Sequence, residues 1–384
     1  MAARRKLLFI TSSLVLGGAE KHVVTLLNEL DTERFDLALA YLKPSHQLLP
    51  QLRSERLAGG VTALNMAGPL ELGAARRLAA LIDQQQIDLV VCTNGFALGY
   101  GSLARWLSRR RPKLVEVFHT TELGTFKSRL QMALYWPLFA ASEMLVYVCH
   151  YQRQYWQARR LKARRDTVIH NGINVDYFRD TQSAADKLAT RARYGLDEHD
   201  CVIGLCAVMR PEKMHVDLLQ AIARLRARGL PVKALFIGDG VERPRIAARI
   251  AELGLQDAVR ITGFADDVRP LIAACDAMAL VSHHVETFSI AALEAMALGK
   301  PMIMSRIGGA GEQVTPGVNG YLFERGDIAA LAEAIERCLD REHCRQMGER
   351  ARAVVVEQFS LRAMVDRFSD TFHQLLPLAQ HGQG

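Results

Sequence analysis

The sequence predicts an α/β protein of two doubly wound domains, each a parallel sheet with helices on both faces. Three observations lead there. Short apolar, β-branched segments alternate with segments of helical period along the whole chain. Those segments are apolar at consecutive positions, as expected of strands covered on both faces. A polar stretch, residues 171–200, opens with Asn171-Gly172 and divides the series in two. The first series is 7–13, 36–42, 88–92, 114–118 and 144–148; the second is 202–208, 233–237, 258–262, 277–281 and 302–305. A length of 384 residues accommodates two domains of ordinary size.

Taken in order, the N-terminus imitates a secretion signal, with Arg4-Arg5-Lys6 before an apolar run to Leu16. Thr11, Ser12 and Ser13 interrupt that run and residues 20–30 continue with helical period, so a strand, a glycine turn and a helix are expected instead. Gly17 and Gly18 let backbone N–H groups approach a phosphate or an acceptor with no Cβ in the way. His119 follows the strand 114–118. The apolar stretch 135–149 is broken by Pro137, Ser142 and Glu143, short of the ~18 residues needed to cross a bilayer. In the second series, Arg210 and Lys213 follow strand 202–208 and offer a planar fork and a point cation to a diphosphate. Gly238-Asp239-Gly240 and Gly263-Phe264 mark turns able to present backbone to a nucleotide. After strand 277–281 comes a helix that Thr287 or Ser289 can cap and that Gly299 and Pro301 end. Residues 360–376 form a last amphipathic helix.

Seven cysteines with no C-x-x-C pair argue against a disulfide framework or a thiolate zinc site and fit a reducing cytoplasm. The net charge of +7 is uneven: residues 1–200 carry 27 Lys and Arg against 19 Asp and Glu. Within residues 100–165 the balance is 13 basic to 3 acidic, with aromatics interleaved over 124–142 and 151–165. That surface suits anionic lipid headgroups, so an inner-face peripheral membrane location is expected; equally, 124–142 reads as a core helix. A nucleic-acid partner is not expected, because no recognised module accompanies the arginines.

Glu286 and Glu294 stand either side of the predicted helix start. At 1.5 Å per residue their separation gives roughly 12 Å, too far for a glycosidase carboxyl pair but suited to two ends of an extended ligand. Glu286 on one sugar, Glu294 on another, and a diphosphate at the helix N-terminus near Thr287, Phe288 and Ser289 describe a nucleotide-sugar. Glu294 reads equally well as a surface residue. The absence of G-x-G-x-x-G argues against a dinucleotide enzyme. No Asp pair is spaced D-x-D, so neither metal nor cofactor is predicted.

The pair Glu286 and Glu294 with the intervening Phe-Ser, followed by Gly299-Lys300-Pro301, resembles the E-x7-E signature of the family 4 glycosyltransferases. Gly17-Gly18-Ala19-Glu20, His119, His170-Asn171-Gly172-Ile173, Arg210-Pro211-Glu212-Lys213, Gly238-Asp239-Gly240, Gly263-Phe264 and Gly308-Gly309 with Glu312 before Asn319-Gly320 follow in that family's order. The resemblance implies a GT-B fold of two Rossmann-like domains facing a cleft: residues 1–175 for the acceptor, 176–358 for the donor, and a terminal helix, 359–384, returning to the first. It implies transfer of a hexosyl or N-acetylhexosaminyl group with retention from a nucleotide-diphosphate donor, UDP favoured over GDP, to a saccharide acceptor, which the cationic, aromatic-bearing surface of 124–142 and 151–165 suggests is lipid-linked. His119, Arg210, Lys213 and Glu286 would be catalytic. Gly17, Gly18, Gly238, Gly263, Phe264, Thr287, Phe288, Ser289 and Glu294 would bind the donor. The family arginine falls at Val208, and Arg210, on the same side of an extended segment, takes its place in this reading. The alternative is a non-catalytic nucleotide-sugar-binding or scaffold subunit.

Overall fold

A computed structural model describes residues 4–68, 70–123, 126–284 and 286–376. Val285 of the candidate donor loop, residues 124–125 of the aromatic stretch and residues 377–384 of the terminal segment lie outside the described residues. The chain forms two compact units, Met1–His170 with Ala363–Gly384, and Asn171–Arg362.

The first unit runs β1 (Arg5–Thr11), α1 (Gly18–Glu29), β2 (Phe35–Tyr41), β3 (Val61–Ala63), α2 (Leu72–Gln85), β4 (Leu89–Thr93), α3 (Asn94–Leu107), β5 (Lys113–Phe118), α4 (Phe126–Ala141), β6 (Met144–Tyr147), α5 (His150–Ala158) and β7 (Asp166–Val168). Its seven parallel strands lie in the order β3-β2-β1-β4-β5-β6-β7. The predicted strands are present because each is a run of fully buried residues, such as Leu7 to Ile10 and Leu89 to Cys92, covered on both faces. β3 and β7 are absent from the prediction. Each is a three-residue, half-buried edge strand, too short to leave a hydrophobic run.

The second unit runs α6 (Ala184–Arg193), β8 (Cys201–Cys206), α7 (His215–Arg226), β9 (Val232–Ile237), α8 (Arg243–Glu252), β10 (Val259–Ile261), α9 (Arg269–Ala273), β11 (Ala277–Leu280), α10 (Ile290–Ala297), β12 (Met302–Ser305), α11 (Ala310–Gln313), β13 (Gly320–Phe323), α12 (Ile328–Arg337) and α13 (Arg341–Gln358). Its six parallel strands lie in the order β10-β9-β8-β11-β12-β13. The polar connection is not all loop: Ser183 and Asp186 cap α6 reciprocally. Residues 171–175 and 359–362 pack with this unit, not the first as the resemblance implied. Ile173 N–H donates to Phe359 O at 3.1 Å and Leu361 N–H to Ile173 O at 2.7 Å.

The last helix, α14 (Leu361–Leu375), packs from Ala363 onward on the first unit. Its fully buried Phe372 meets Phe9 and Phe35 edge-on at 6.2 and 6.3 Å. Burying Phe368 and Phe372 contributes about 1.5–3 kcal/mol each. Lys113 Nζ closes the helix end on Leu375 O at 2.6 Å.

In open parallel sheets, ligands bind beyond the carboxyl ends of the strands where the order reverses. Those reversals fall between β1 and β4 in the first unit and between β8 and β11 in the second.

Candidate active site

The loops at the second unit's reversal point carry the residues of opposite charge. After β8 the chain closes tightly around buried Met209, Arg210 N–H donating to Val208 O at 2.9 Å. The segment is therefore turned rather than extended. The expectation that Val208 and Arg210 share a side fails, because an i to i+2 hydrogen bond removes strand alternation. The Arg210 guanidinium is exposed, and no carboxylate among the described residues holds it. Pro211–Lys213 form one 3₁₀ turn, which ends at Met214 in the left-handed region (φ +47°).

Lys213 Nζ reaches Glu286 Oε2 at 2.5 Å, with the side chains only 22% and 14% exposed. Ser282 Oγ donates to the same carboxylate oxygen at 3.3 Å. Two candidate residues 73 positions apart are thus brought together.

The loop carrying Glu286 is fixed from several sides. Gly308 has φ +52°, and a Cβ there would lie 2.0 Å from Glu286 O. Gly309 N–H donates to Thr287 O at 2.7 Å, and Asn171 Nδ2 to Phe288 O at 3.1 Å. Ser289 caps α10 by accepting from Ala292 N–H at 3.2 Å. Its own backbone is clamped by Gln313, which accepts from Ser289 N–H at 3.3 Å and donates to Ser289 O at 2.8 Å. Phe288 and Ser289 are buried, Phe288 against Phe359. The Ser289 N–H expected to face a phosphate is therefore engaged by Gln313, leaving the next N–H groups of α10 to point outward.

Residues 286–289 are not helical, so a helical rise does not measure the distance from Glu286 to Glu294. Glu294, partly exposed, is the fifth residue of α10, little more than one turn in rather than two. Gly238 and Gly263 meet: Gly238 N–H donates to Gly263 O at 3.1 Å, and both have positive φ. A Cβ on Gly238 would lie 2.2 Å from Ala207 O. Phe264 beside them is 70% exposed.

In the first unit, Gly17 precedes α1 and Gly18 begins it, seven residues beyond the end of β1. Glu20 folds its carboxylate back over Gly17, taking up the first-turn position expected for a phosphate. One turn on from Gly18, the buried His22 packs edge-on against His119, ring centroids 4.9 Å apart. His119 N–H donates to Asn94 Oδ1 at 3.0 Å. Burial pushes His22 down to about 4 and holds His119 well below the usual imidazole range, with the neighbouring His22 adding to the effect. A neutral His119 offers a hydrogen bond, not a positive charge. Three residues earlier Glu116 is fully buried, its carboxyl facing the Asn94 N–H, yet neither oxygen makes a hydrogen bond of good geometry. Burial pushes that carboxyl well up from the usual carboxylate range, which favours the protonated form.

Gln313, Asn171, Ser282 and Gly308's contact with Glu286 escape a reading of the sequence for chemistry, because each acts through a partner distant in the chain. Asn171, Gly308 and Asn319 stand in quoted motifs, but their partners do not show there: Asn319 Nδ2 donates to Gln313 O at 3.0 Å.

Two doubly wound parallel sheets in one chain are the architecture expected from the GT-B resemblance. A family model for glycosyl transferases group 1 matches residues 186–354, and one for glycosyltransferase family 4 matches residues 16–177. The chain is a glycosyltransferase, built from a family 4 domain followed by a group 1 domain. It is similar to N-acetyl-alpha-D-glucosaminyl L-malate synthase of Bacillus anthracis, 29% identical over 82% of each chain. It is 34% identical to the lipopolysaccharide core biosynthesis glycosyltransferase LpsE of Rhizobium meliloti, over 39% of this chain and 43% of that one. The structure of Anabaena Alr3699/HepE in complex with UDP shares the fold with a TM-score of 0.85 at 23% identity, covering 96% of this chain and 100% of that one.

Proposed function

We propose that this enzyme moves a hexosyl or N-acetylhexosaminyl group, with retention, from a UDP-sugar to a saccharide acceptor carried on a lipid. The Lys213–Glu286 pair carries the reading: a cation and a carboxylate at one switch point supply the two groups that a sugar diphosphate needs, one for the leaving charge and one for the sugar hydroxyls. Lys213 and Arg210 stabilise the departing diphosphate, Glu286 holds the transferred sugar, and Glu294 holds the ribose. Gly238, Gly263 and Phe264 receive the base. The acceptor attacks the face the leaving group departs from, so orientation replaces a side-chain nucleophile. Neutral His119 hydrogen-bonds a sugar hydroxyl. UDP bound to Alr3699/HepE favours uridine in the donor. Lysine and arginine do the work of a metal, so transfer survives EDTA.

The first unit supports a lipid-borne acceptor. α4 exposes Phe126, Leu130 and Leu134, four residues apart on one face, beside Lys127 and Arg129. It is therefore not a core helix throughout: it buries Met132 and Phe139 and turns its other face outward. Among the described residues no helix is long and apolar enough to cross a membrane, so we assign α4 a peripheral contact on the inner face.

Calorimetric titration with free UDP and with UDP-sugar tests the site. Glu294→Gln should weaken both, whereas Glu286→Gln should spare free UDP and depress turnover. Equal loss of free-UDP affinity in the two variants would remove Glu286 from the sugar.

A further inference from the structure

The loops that bring Lys213 and Glu286 together are joined a second time, further from the carboxylate. His283 N–H donates to Glu212 O at 3.1 Å, tying the β11 loop to the 3₁₀ turn that carries Lys213. The His283 ring then meets Asp217 in the first turn of α7, Nε2 to Oδ2 at 2.6 Å. An ionised carboxylate only accepts, so the ring donates through Nε2. Asp217 is buried and His283 is mostly covered, their side chains 8% and 24% exposed. The first turn of a helix favours a negative charge there. Around His283 the loop is held on its other sides by Ser305 Oγ, which donates to Ser282 O at 2.6 Å, and by Arg325, which donates to His283 O at 3.3 Å.

Two rungs therefore span neighbouring loops from adjacent strands: Lys213–Glu286 at the chemistry and His283–Asp217 behind it. We infer that His283 and Asp217 are positioning residues, which set the separation of the Lys213 ammonium and the Glu286 carboxylate for the donor. The inference rests on the reading that Lys213 and Glu286 act on the donor. The loop between β11 and α10 is irregular, and without the rear rung its register against the 3₁₀ turn depends on the His283–Glu212 main-chain bond and on the Lys213–Glu286 pair itself. Reacting groups misplaced by about 1 Å lose up to ~10²-fold in rate, whereas nucleotide affinity draws on the Gly238 and Gly263 edge as well. The rung is therefore read in kcat, with little change in the affinity for UDP.

The experiment is steady-state transfer with a UDP-sugar, alongside UDP titration and thermal melts, on the full chain. His283→Phe should lower kcat about tenfold while the UDP dissociation constant stays within about twofold. His283→Gln, which keeps a donor near the Nε2 position, should recover much of that loss. Asp217→Asn keeps the volume and an accepting oxygen, and should fall between the two. His283→Phe combined with Asp217→Ala should be no slower than the worse single variant, since both remove one rung. A purely structural role would lower the melting temperature and leave kcat of the folded enzyme intact. That result, or kcat losses that multiply in the double variant, overturns the inference. If His283→Phe fails to fold, Asp217→Asn and His283→Gln carry the same comparison. Lys213→Ala and Glu286→Gln run in parallel separate the two failures: full turnover in those variants would sink the donor-site reading itself, whereas their loss beside an unaffected His283→Phe would sink only the rung.

Discussion

The two units build their carboxyl-end loops from opposite materials. In the second, nearly every group around Glu286 has a named hydrogen-bond partner: Lys213, Ser282, Gln313, Asn171, and His283 with Asp217. In the first, the titratable groups near α1 and α3 are held by packing. His22 is buried against His119 and Phe368, and Glu116 is fully buried with no well-formed bond to either oxygen. A hydrogen-bonded web fixes charged groups in place without neutralising them, which suits a highly charged ligand. Packing instead strips charge from the groups it covers.

The largest test of that difference is Lys213→Ala. Removing the cation leaves Glu286 partly buried beside Ser282 alone and removes charge stabilisation from the departing diphosphate. Turnover should fall by ~10²–10³ with the fold retained, as transfer assays and melting curves would read. Unchanged turnover in a folded variant would mean that the web of the second unit is scaffolding only.

Gly308→Ala strikes the same web through the backbone. Its Cβ would meet Glu286 O at 2.0 Å and Thr287 O at 2.8 Å, and φ is +52°. Relief requires the donor loop to move, so donor affinity should drop and the second unit should lose about 3 kcal/mol. The first unit should be untouched. All three tryptophans, Trp106, Trp136 and Trp156, lie in the first unit, so tryptophan fluorescence reports that unit and calorimetry both.

How far the sequence disclosed this difference follows from what leaves a local trace. Continuous apolar runs such as 202–206 are visible because parallel strands are covered on both faces; β13, four residues at a sheet edge, left none. Lys213 and Glu286 were legible as motif residues, but not their contact. His283 carries no local signature of its role, and its partner Asp217 lies 66 residues away. Glu116 sat unremarked inside a strand, because a buried carboxyl differs from an exposed one only in what folds over it.

Acidification separates the units more gently. His22 in the first unit and His215 in the second are buried, and burial lowers each to about 4 from 6.5. Between those values the unfolded chain binds the protons that the folded units refuse, so stability rises with pH across that window and is complete above about 6.5. Each histidine contributes a loss on the order of 3 kcal/mol as pH falls from 6.5 to 4. His215→Phe should remove the second unit's share in calorimetric melts, and a second unit equally acid-sensitive with and without His215 would reject that assignment.

Glu116 works in the reverse direction, and only in the first unit. Its folded value is raised well above 4.5, so above about 4.5 the folded unit gives up this proton less readily than the unfolded chain does. Stability from this group is full below about 4.5 and declines as pH rises toward the folded value. Within the first unit Glu116 should therefore offset part of the rise with pH that the depressed histidines His22 and His119 produce. The second unit, with no such carboxyl among its described residues, should level off. Glu116→Gln keeps the shape and a neutral side chain while removing the proton requirement. Its effect should be small near pH 5 and grow more stabilising toward pH 8, followed by tryptophan fluorescence in urea at several pH values. A variant whose stability difference from the parent does not change with pH would mean that Glu116 is ionised in the folded unit, and that the first unit's pocket tolerates charge as the second's does.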